Sequence, residues 1–508
     1  MPRTLALDGR HLSFDDLRAL VRDEPQGKTV RLKVSPGAVR AMERSRAVLE
    51  RSVAKGRTIY GVNTGFGKLS DTRIEAEDLD RLQTNLLRSH SVGSGPHLER
   101  PGLFMALRAN SLALGASGVT PALVRMLAEM YNRGVEPCIP TIGSVGASGD
   151  LAPLAELGVV MMGEGTASAR GVDHGPGARA LAKARLKPYK FRPKEALALV
   201  NGTQLMSALL AKALVDAEEL LTLADVAGAM SLEAMKGSAA PFDARVHEAR
   251  AHPGQGTVAD NVRRLLAGSE VLESHRDCRR VQDAYSLRCI PQVHGAARDA
   301  FDFAKQSLMI EVNSATDNPL VLGTDVISAG NFHGQPVAQA ADVLSIALTS
   351  VANISERRIE RLTNPDLSGL PAFLVKESGV NSGFMMAQVA AAAAAAECRV
   401  DATPASVQSI PTGAAKEDHV SMGPLAARKT LRIIEGLRRI LSLEVVCAAQ
   451  GLDLIAPLVP GKGVAAAHKA VRKAVAFLGS DRYLRRDLKK VQAGDIVAAA
   501  RRAVGRLV

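Results

Sequence analysis

The 508-residue sequence has no tryptophan, and aromatic residues make up only 3% of it. Base-stacking platforms need aromatic rings, so nucleic acid is a poor partner despite the net charge of +12. The basic residues are also dispersed. Their densest run, His468 to Arg502, alternates Lys and Arg with Ala, Val and Leu at helical spacing, as a solvated helix face does. Cysteine is scarce as well: Cys138, Cys278, Cys289, Cys398 and Cys447 lie scattered, odd in number and without a CxxC pair. That argues against a disulfide framework or a thiolate metal site, and for a cytoplasmic location. No HExxH or comparable ligand spacing occurs, so no metal is expected. The opening residues, Met-Pro-Arg-Thr-Leu-Ala-Leu-Asp, lack the apolar run of a signal peptide. The stretch 378–396 is uncharged but carries Asn381, Ser382, Gly383 and Gln388 among small alanines. It is too polar and too small to span a membrane, and reads as a helix packed inside a bundle.

What is present is an ordinary globular balance, 46% hydrophobic and 23% charged, in a chain long enough for one large core or two domains. Residues 1–204 mix short extended pieces, glycine turns and helices. Val30–Val34 alternates like a strand, and Pro36 starts a helix through Met42 and Leu49. Residues 164–194, rich in Gly, Pro and basic side chains, read as a surface excursion. From Leu205 the pattern turns long and helical. Leu205 to Met235 is apolar but broken by Lys212, Asp216, Glu218 and Glu219, which predicts an amphipathic helix. Leu344, Leu348, Val351 and Ile354 define another, stopped at Asn364-Pro365. The expected fold is mainly α: a long-helix bundle core (205–422), C-terminal helices (423–508) and a smaller mixed N-terminal part (1–204), all in one continuous protein.

Residues 141–152, Thr-Ile-Gly-Ser-Val-Gly-Ala-Ser-Gly-Asp-Leu-Ala, are the most informative segment. Ala147, Ser148 and Gly149 are small enough for the Gly149 nitrogen to close onto the Ala147 carbonyl carbon, since glycine accepts strained dihedrals. Loss of two waters, one from the ring carbonyl and one from Ser148, then leaves an imidazolone with an electrophilic methylene. Asp150 is placed to cap a helix through Leu154, Leu157 and Val160, with Pro153 in its first turn. A phosphate cradle is a poor alternative, because no GxGxxG or Gly-Lys-Ser/Thr surrounds the loop.

Further segments stand out. Tyr60-Gly61-Val62-Asn63-Thr64-Gly65-Phe66-Gly67 holds a phenol at the start of a glycine-rich loop. Asn201-Gly202-Thr203-Gln204 is a turn into the long helix, suited to binding a carboxylate or ring oxygen or to simple capping. In Val281–Cys289, Tyr285 and Arg288 lie three apart, on one face if helical, and a guanidinium there can grip a carboxylate in bidentate fashion. Gly330-Asn331-Phe332-His333-Gly334 and Lys416-Glu417-Asp418-His419 follow.

In this order, and over almost the full length, these segments resemble the aromatic amino acid ammonia-lyases that carry 4-methylidene-imidazole-5-one (MIO). The resemblance implies an ammonia-lyase/fumarase-like fold and MIO formed from Ala147, Ser148 and Gly149, with no external cofactor. It implies Tyr60 as the base at the substrate β-carbon, Tyr285 as a second catalytic phenol and Arg288 as the carboxylate binder. Asn201 and Gln282 become polar contacts to ring and substrate, and Phe332 a pocket aromatic. Family members resemble one another in forming homotetramers with shared active sites. Ser89-His90 resembles the histidine-specific members, where phenylalanine-specific ones have Phe-Leu and tyrosine-specific ones His-Leu. Glu417 matches the same members, although many of them have Asn-Gln where this chain has Ala415-Lys416. An imidazole offers two nitrogens, one for a carboxylate and one for a His, whereas a carboxylate facing a phenyl ring is unpaired and costly. The expected reaction is therefore loss of ammonia from L-histidine to give trans-urocanate. The alternatives are a tyrosine or phenylalanine lyase, or an aminomutase.

Overall fold

A computed structural model describes residues 2–23, 26–170, 172–276 and 281–508. Cys278 lies outside the described residues. The chain divides into two compact units: Met1–Val215, Ala304–Asp342 and Pro404–Arg428 form the first, and Asp216–Phe303, Val343–Thr403 and Lys429–Val508 the second.

The first unit is mixed. Strand Arg3–Leu7 pairs in parallel with Val30–Val34, the latter alternating buried and exposed as its sequence predicts. Helix Phe14–Arg22 begins at a capping box: Ser13 Oγ accepts from the Asp16 amide (3.1 Å), and Asp16 accepts from the Ser13 amide (2.9 Å). Helix Pro36–Ala54 starts where Pro36 predicts, with Ser35 Oγ accepting from the Ala38 amide. Helix Pro101–Ala113 is buried at every residue, Arg108 and Asn110 included. Asn110 is satisfied by the Gly9 amide (3.0 Å) and the Val312 carbonyl (2.9 Å). The 164–194 segment is more ordered than a plain excursion. It holds the antiparallel strands Thr166–Ala169 and Val172–Pro176 and the helix Gly177–Lys183. Lys194, expected at the surface, is fully buried on Asp317 (2.5 Å).

The second unit is helical, built from residues 216–234, 290–303, 343–363 and 429–454 of four long helices. Its core holds a bidentate ion pair, Arg358–Glu444, with both side chains at 0% exposure; Ser231 and Ser355 donate to the same carboxylate. Asp225 is likewise satisfied by His294 (2.8 Å), Arg298 (2.6 Å) and Asn261 (2.9 Å). Helices Lys462–Ala474 and Ala493–Val504 pack together, leaving Lys469, Lys473, Arg501 and Arg502 in solvent as expected of the basic run.

Two helices differ from expectation. Gln204–Ala234 is not amphipathic: it is buried around nearly its whole circumference, and Lys212, Asp216, Glu218 and Glu219 are only half-exposed. Six of its thirty-one residues are charged and two of these, Asp225 and Glu233, are themselves buried, while alanine and leucine let neighbours pack closely around it. Conversely, Met385–Asp401 buries only one face, leaving Met386, Val389 and Val400 exposed in the single chain. The segments Glu195–Ala234 and Gln335–Thr363 are long and apolar enough to cross a membrane, but 94% and 61% of their apolar windows are buried in the fold.

Candidate active site

The loop 143–149 is clamped by two distant segments of the first unit. The Gly334 amide donates to the Gly146 carbonyl (3.0 Å), the Met422 amide to the Val145 carbonyl (2.8 Å), and Ser421 Oγ to the Gly146 carbonyl (2.9 Å). His333 stacks on His419 with centroids 5.6 Å apart, bracing the two clamping segments against each other. Within the loop, Ser144 Oγ donates to Asp150 (2.9 Å) and accepts from the Gly146 amide (3.0 Å).

Gly149 has φ +73°, and a Cβ there would lie 2.5–2.7 Å from the backbone O, N and C of Gly202. Gly202 is itself held from behind, because its own Cβ would stand 2.1 Å from the Arg108 guanidinium. Arg108 is fully buried, donating to Gln204 (2.9 Å) and to the carbonyls of Ala198 and Asn201. Burial lowers its guanidinium to about 10, with Asp317 and Asp150 opposing. Asn201 Nδ2 donates to the Ser148 carbonyl oxygen (2.6 Å), and Ala147 is 4% exposed. The three residues 147–149 are thus pressed between a rigid turn and two clamps.

Asp150 stands at the start of helix Leu151–Met161, as expected, but its side chain does not cap that helix. Its Oδ2 accepts from the amides of Leu205 (2.8 Å) and Met206 (3.1 Å), capping helix Gln204–Ala234 instead. The Asp150 amide donates to the Gly202 carbonyl (2.6 Å), which brings that other helix start within reach of the carboxylate. Burial pushes the Asp150 carboxyl up to about 7, against its three hydrogen bonds. Glu311, whose carboxylate accepts from Thr203, is also raised by burial.

Beside the loop lies a cavity of about 1000 Å³, lined by Tyr60, His90, Ser148, Asn201, Phe332 and Glu417 among others. Ser89, Lys68 and Lys416 line it too. Tyr60 Oη accepts from the Gly67 amide (3.1 Å), so the phenol is held across its own loop. His90 Nδ1 and Ser89 Oγ are 3.0 Å apart. Burial holds the His90 imidazole below its ordinary value, while the Leu86 carbonyl and the Glu417 charge pull it up. Glu417 accepts from Ser148 Oγ (2.5 Å) on one oxygen and from Thr412 Oγ1 (2.6 Å) on the other. Lys416 is exposed and makes no ion pair with Glu417 among the described residues.

Six of the sequence-predicted site residues therefore meet at one cavity, with Ala147 and Gly149 adjoining through Ser148. Gln282, Tyr285 and Arg288 belong to the second unit and are not among the cavity's lining residues. There they form their own cluster on the short helix Tyr285–Arg288. Arg288 donates to Gln282, and its guanidinium carbon lies 5.6 Å from the Tyr285 ring centroid. Asp283 accepts from the Ser238 amide (2.6 Å), and Arg358 reaches the Ser286 carbonyl (3.4 Å), fixing this segment from below. Tyr285 is 74% exposed and Val281 94%.

Sequence reasoning missed Arg108, Ser144 and Thr412. An arginine inside the apolar run Leu103–Ala113 was a legible signal for the first. Thr412 carried none, because its role depends on a turn that only the folded chain makes.

Residues 12–473 match the family model described as aromatic amino acid lyase. The chain is 51% identical to a histidine ammonia-lyase of Sorangium cellulosum, covering 98% of this chain and 99% of that one. It is 49% identical to one of Myxococcus xanthus, covering 99% of both. Among solved structures, histidine ammonia-lyase from Trypanosoma cruzi superposes with a TM-score of 0.90 at 41% identity, covering 99% of this chain and 95% of that one. Tyrosine aminomutase from Streptomyces globisporus superposes with a TM-score of 0.91 at 37% identity, covering 100% and 99%. Matched over nearly its whole length in sequence and in fold, and carrying the small-residue loop, the chain belongs to the aromatic amino acid lyase family.

Proposed function

We propose that the protein is a histidine ammonia-lyase, removing ammonia from L-histidine without oxidation to give trans-urocanate, the first step of histidine breakdown. One observation carries the reading: the Glu417 carboxylate and the His90 imidazole line the same cavity as Ser148. A substrate imidazole gives each of them a hydrogen-bonding partner, and a phenyl ring gives neither one.

The residues present fit MIO. Gly149 lies in a cradle that any Cβ would fill, Ala147 is buried, and the Ser148 carbonyl is held by Asn201. Small side chains and a fixed carbonyl are what a backbone condensation needs. The ring formed from Ala147, Ser148 and Gly149 supplies an electrophilic methylene that makes the substrate α-amine a better leaving group.

The side chains divide the remaining work. Glu417 and His90 orient the imidazole, Phe332 packs beside it, and Asn201 keeps its amide on the loop carbonyl. Tyr60, which lines the cavity and whose oxygen accepts from the Gly67 amide, removes the β-proton. Arg288 binds the substrate carboxylate as a bidentate pair, with Gln282 and Tyr285 beside it. In the homotetramer that the family resemblance implies, the 282–288 segment serves the cavity of another copy. The exposure of Tyr285 and Val281 in the single chain supports this. The scattered cysteines, without a CxxC pair, support a cytoplasmic location.

The test is a near-ultraviolet assay of the purified protein with L-histidine, L-tyrosine and L-phenylalanine in parallel. Urocanate from L-histidine alone is expected. Coumarate or cinnamate in its place would sink the specificity argument and leave the chemistry standing.

A further inference from the structure

We infer that Glu417 acts before any substrate binds, as the proton carrier for the dehydration of Ser148 that completes the MIO ring. The inference rests on the MIO reading given above and adds a residue to it.

Its basis is one contact. In the uncyclised chain Ser148 Oγ donates to Glu417 Oε1 at 2.5 Å, across 269 residues of sequence. Nothing in the binding of an imidazole calls for that bond, because the hydroxyl exists only until the ring is made. The carboxylate is also held in place for it. Thr412 Oγ1 donates to the second oxygen at 2.6 Å, and the backbones of Thr412 and Glu417 pair in both directions (2.9 and 3.3 Å). The turn between them runs through Gly413, Ala414 and Ala415 at φ +57°, +54° and +63°. Alanine rarely adopts this left-handed conformation, and such strain persists only where the surroundings hold it. Here it delivers one carboxylate oxygen to one hydroxyl.

The step balances without an oxidant. The Cα–H and Cβ–Oγ bonds of Ser148 break, and the electron pair of the former becomes the exocyclic C=C bond. Glu417 takes up the proton released from Cα and delivers it to Oγ, so the hydroxyl leaves as water and the carboxylate is regenerated. Departure of Oγ strips Glu417 Oε1 of its partner. That same oxygen is then open to the N–H of the substrate imidazole, so maturation itself creates the acceptor on which recognition depends.

The experiment reads mass, not turnover. Wild type, Glu417→Gln and Glu417→Ala are made by cell-free synthesis and sampled over time. The 141–152 peptide is weighed for loss of one or two waters, and each variant is checked for cooperative thermal unfolding. Wild type is expected to lose both waters. The folded variants are expected to keep the Ser148 oxygen, losing it about a hundredfold more slowly, the scale of a missing general acid–base group. Glu417→Gln keeps the size and polarity of the side chain, and so decides the matter if Glu417→Ala does not fold. A folded variant losing both waters at the wild-type rate overturns the proposal. A wild-type chain that loses none overturns the MIO reading beneath it, a separate and recognisable result.

Discussion

Replacing Gly149 by alanine tests whether the loop is as tightly confined as its geometry states. Two costs add at this position. The left-handed backbone, at φ +73°, costs an L-residue about 1–2 kcal/mol. The new methyl also meets the Gly202 backbone at 2.5–2.7 Å, and overpacking of this kind costs about 1–3 kcal/mol. No flexible side chain can swing away, because the obstacle is main chain backed by the buried Arg108. The expected loss of unfolding free energy is therefore about 2–5 kcal/mol. Gly56 is the control: its φ is +75°, but a Cβ there meets nothing within 4 Å, so Gly56→Ala bears the backbone cost alone. Both variants are measured by urea unfolding, and the 141–152 peptide of each is weighed for water loss. Gly149→Ala should be the less stable and should fail to cyclise, since a shifted Gly202 moves Asn201 off the Ser148 carbonyl. Equal stability of the two variants, with full water loss in both, would refute the confinement argument.

Other perturbations separate recognition from framework. His90→Leu removes one of two polar groups offered to the imidazole; kcat/KM for L-histidine should fall about tenfold or more, with water loss from the loop unchanged by mass. Arg358→Met alone leaves Glu444 buried with its charge unpaired and should cost about 3–5 kcal/mol in urea unfolding, much of it recovered by adding Glu444→Leu. A double variant no more stable than the single would contradict that account. The Asp150 carboxyl titrates near 7 in the folded chain against 3.8 ordinarily, so the native state holds its proton more tightly than the unfolded one. This group's contribution must then fall as pH rises from about 4 to about 7. Asp150→Asn lacks that loss, so its melting temperature relative to wild type should climb across this range; a flat difference would exclude the burial argument.

Much of this molecule was legible beforehand where neighbours in sequence decide the outcome. The Val30–Val34 strand follows from alternation, and the helix at Pro36 from a proline in its first turn. Tyr285 and Arg288 fall on one short helix, the condition under which their spacing puts them on one face. The misjudgements came where the partner lay far along the chain. Asp150 was expected to cap the helix it precedes, yet it caps the helix starting at Gln204. Lys194 sits in a basic, glycine-rich stretch and is nonetheless buried on Asp317. The helix Gln204–Ala234 looked half-solvated and is almost wholly enclosed.

By itself the sequence determined the reagents: an Ala-Ser-Gly triplet able to cyclise, a phenol on a glycine loop, and a His and a Glu suited to an imidazole. Backbone periodicity, capping and steric size act within a few residues, so they can be read one segment at a time. Only the tertiary structure decided which reagents meet. It set Glu417 on the Ser148 hydroxyl, pressed Gly149 against Gly202, and put Gln282, Tyr285 and Arg288 on a different unit from the cavity. Those contacts span tens to hundreds of residues, and their geometry follows from how whole helices pack, which no local pattern encodes.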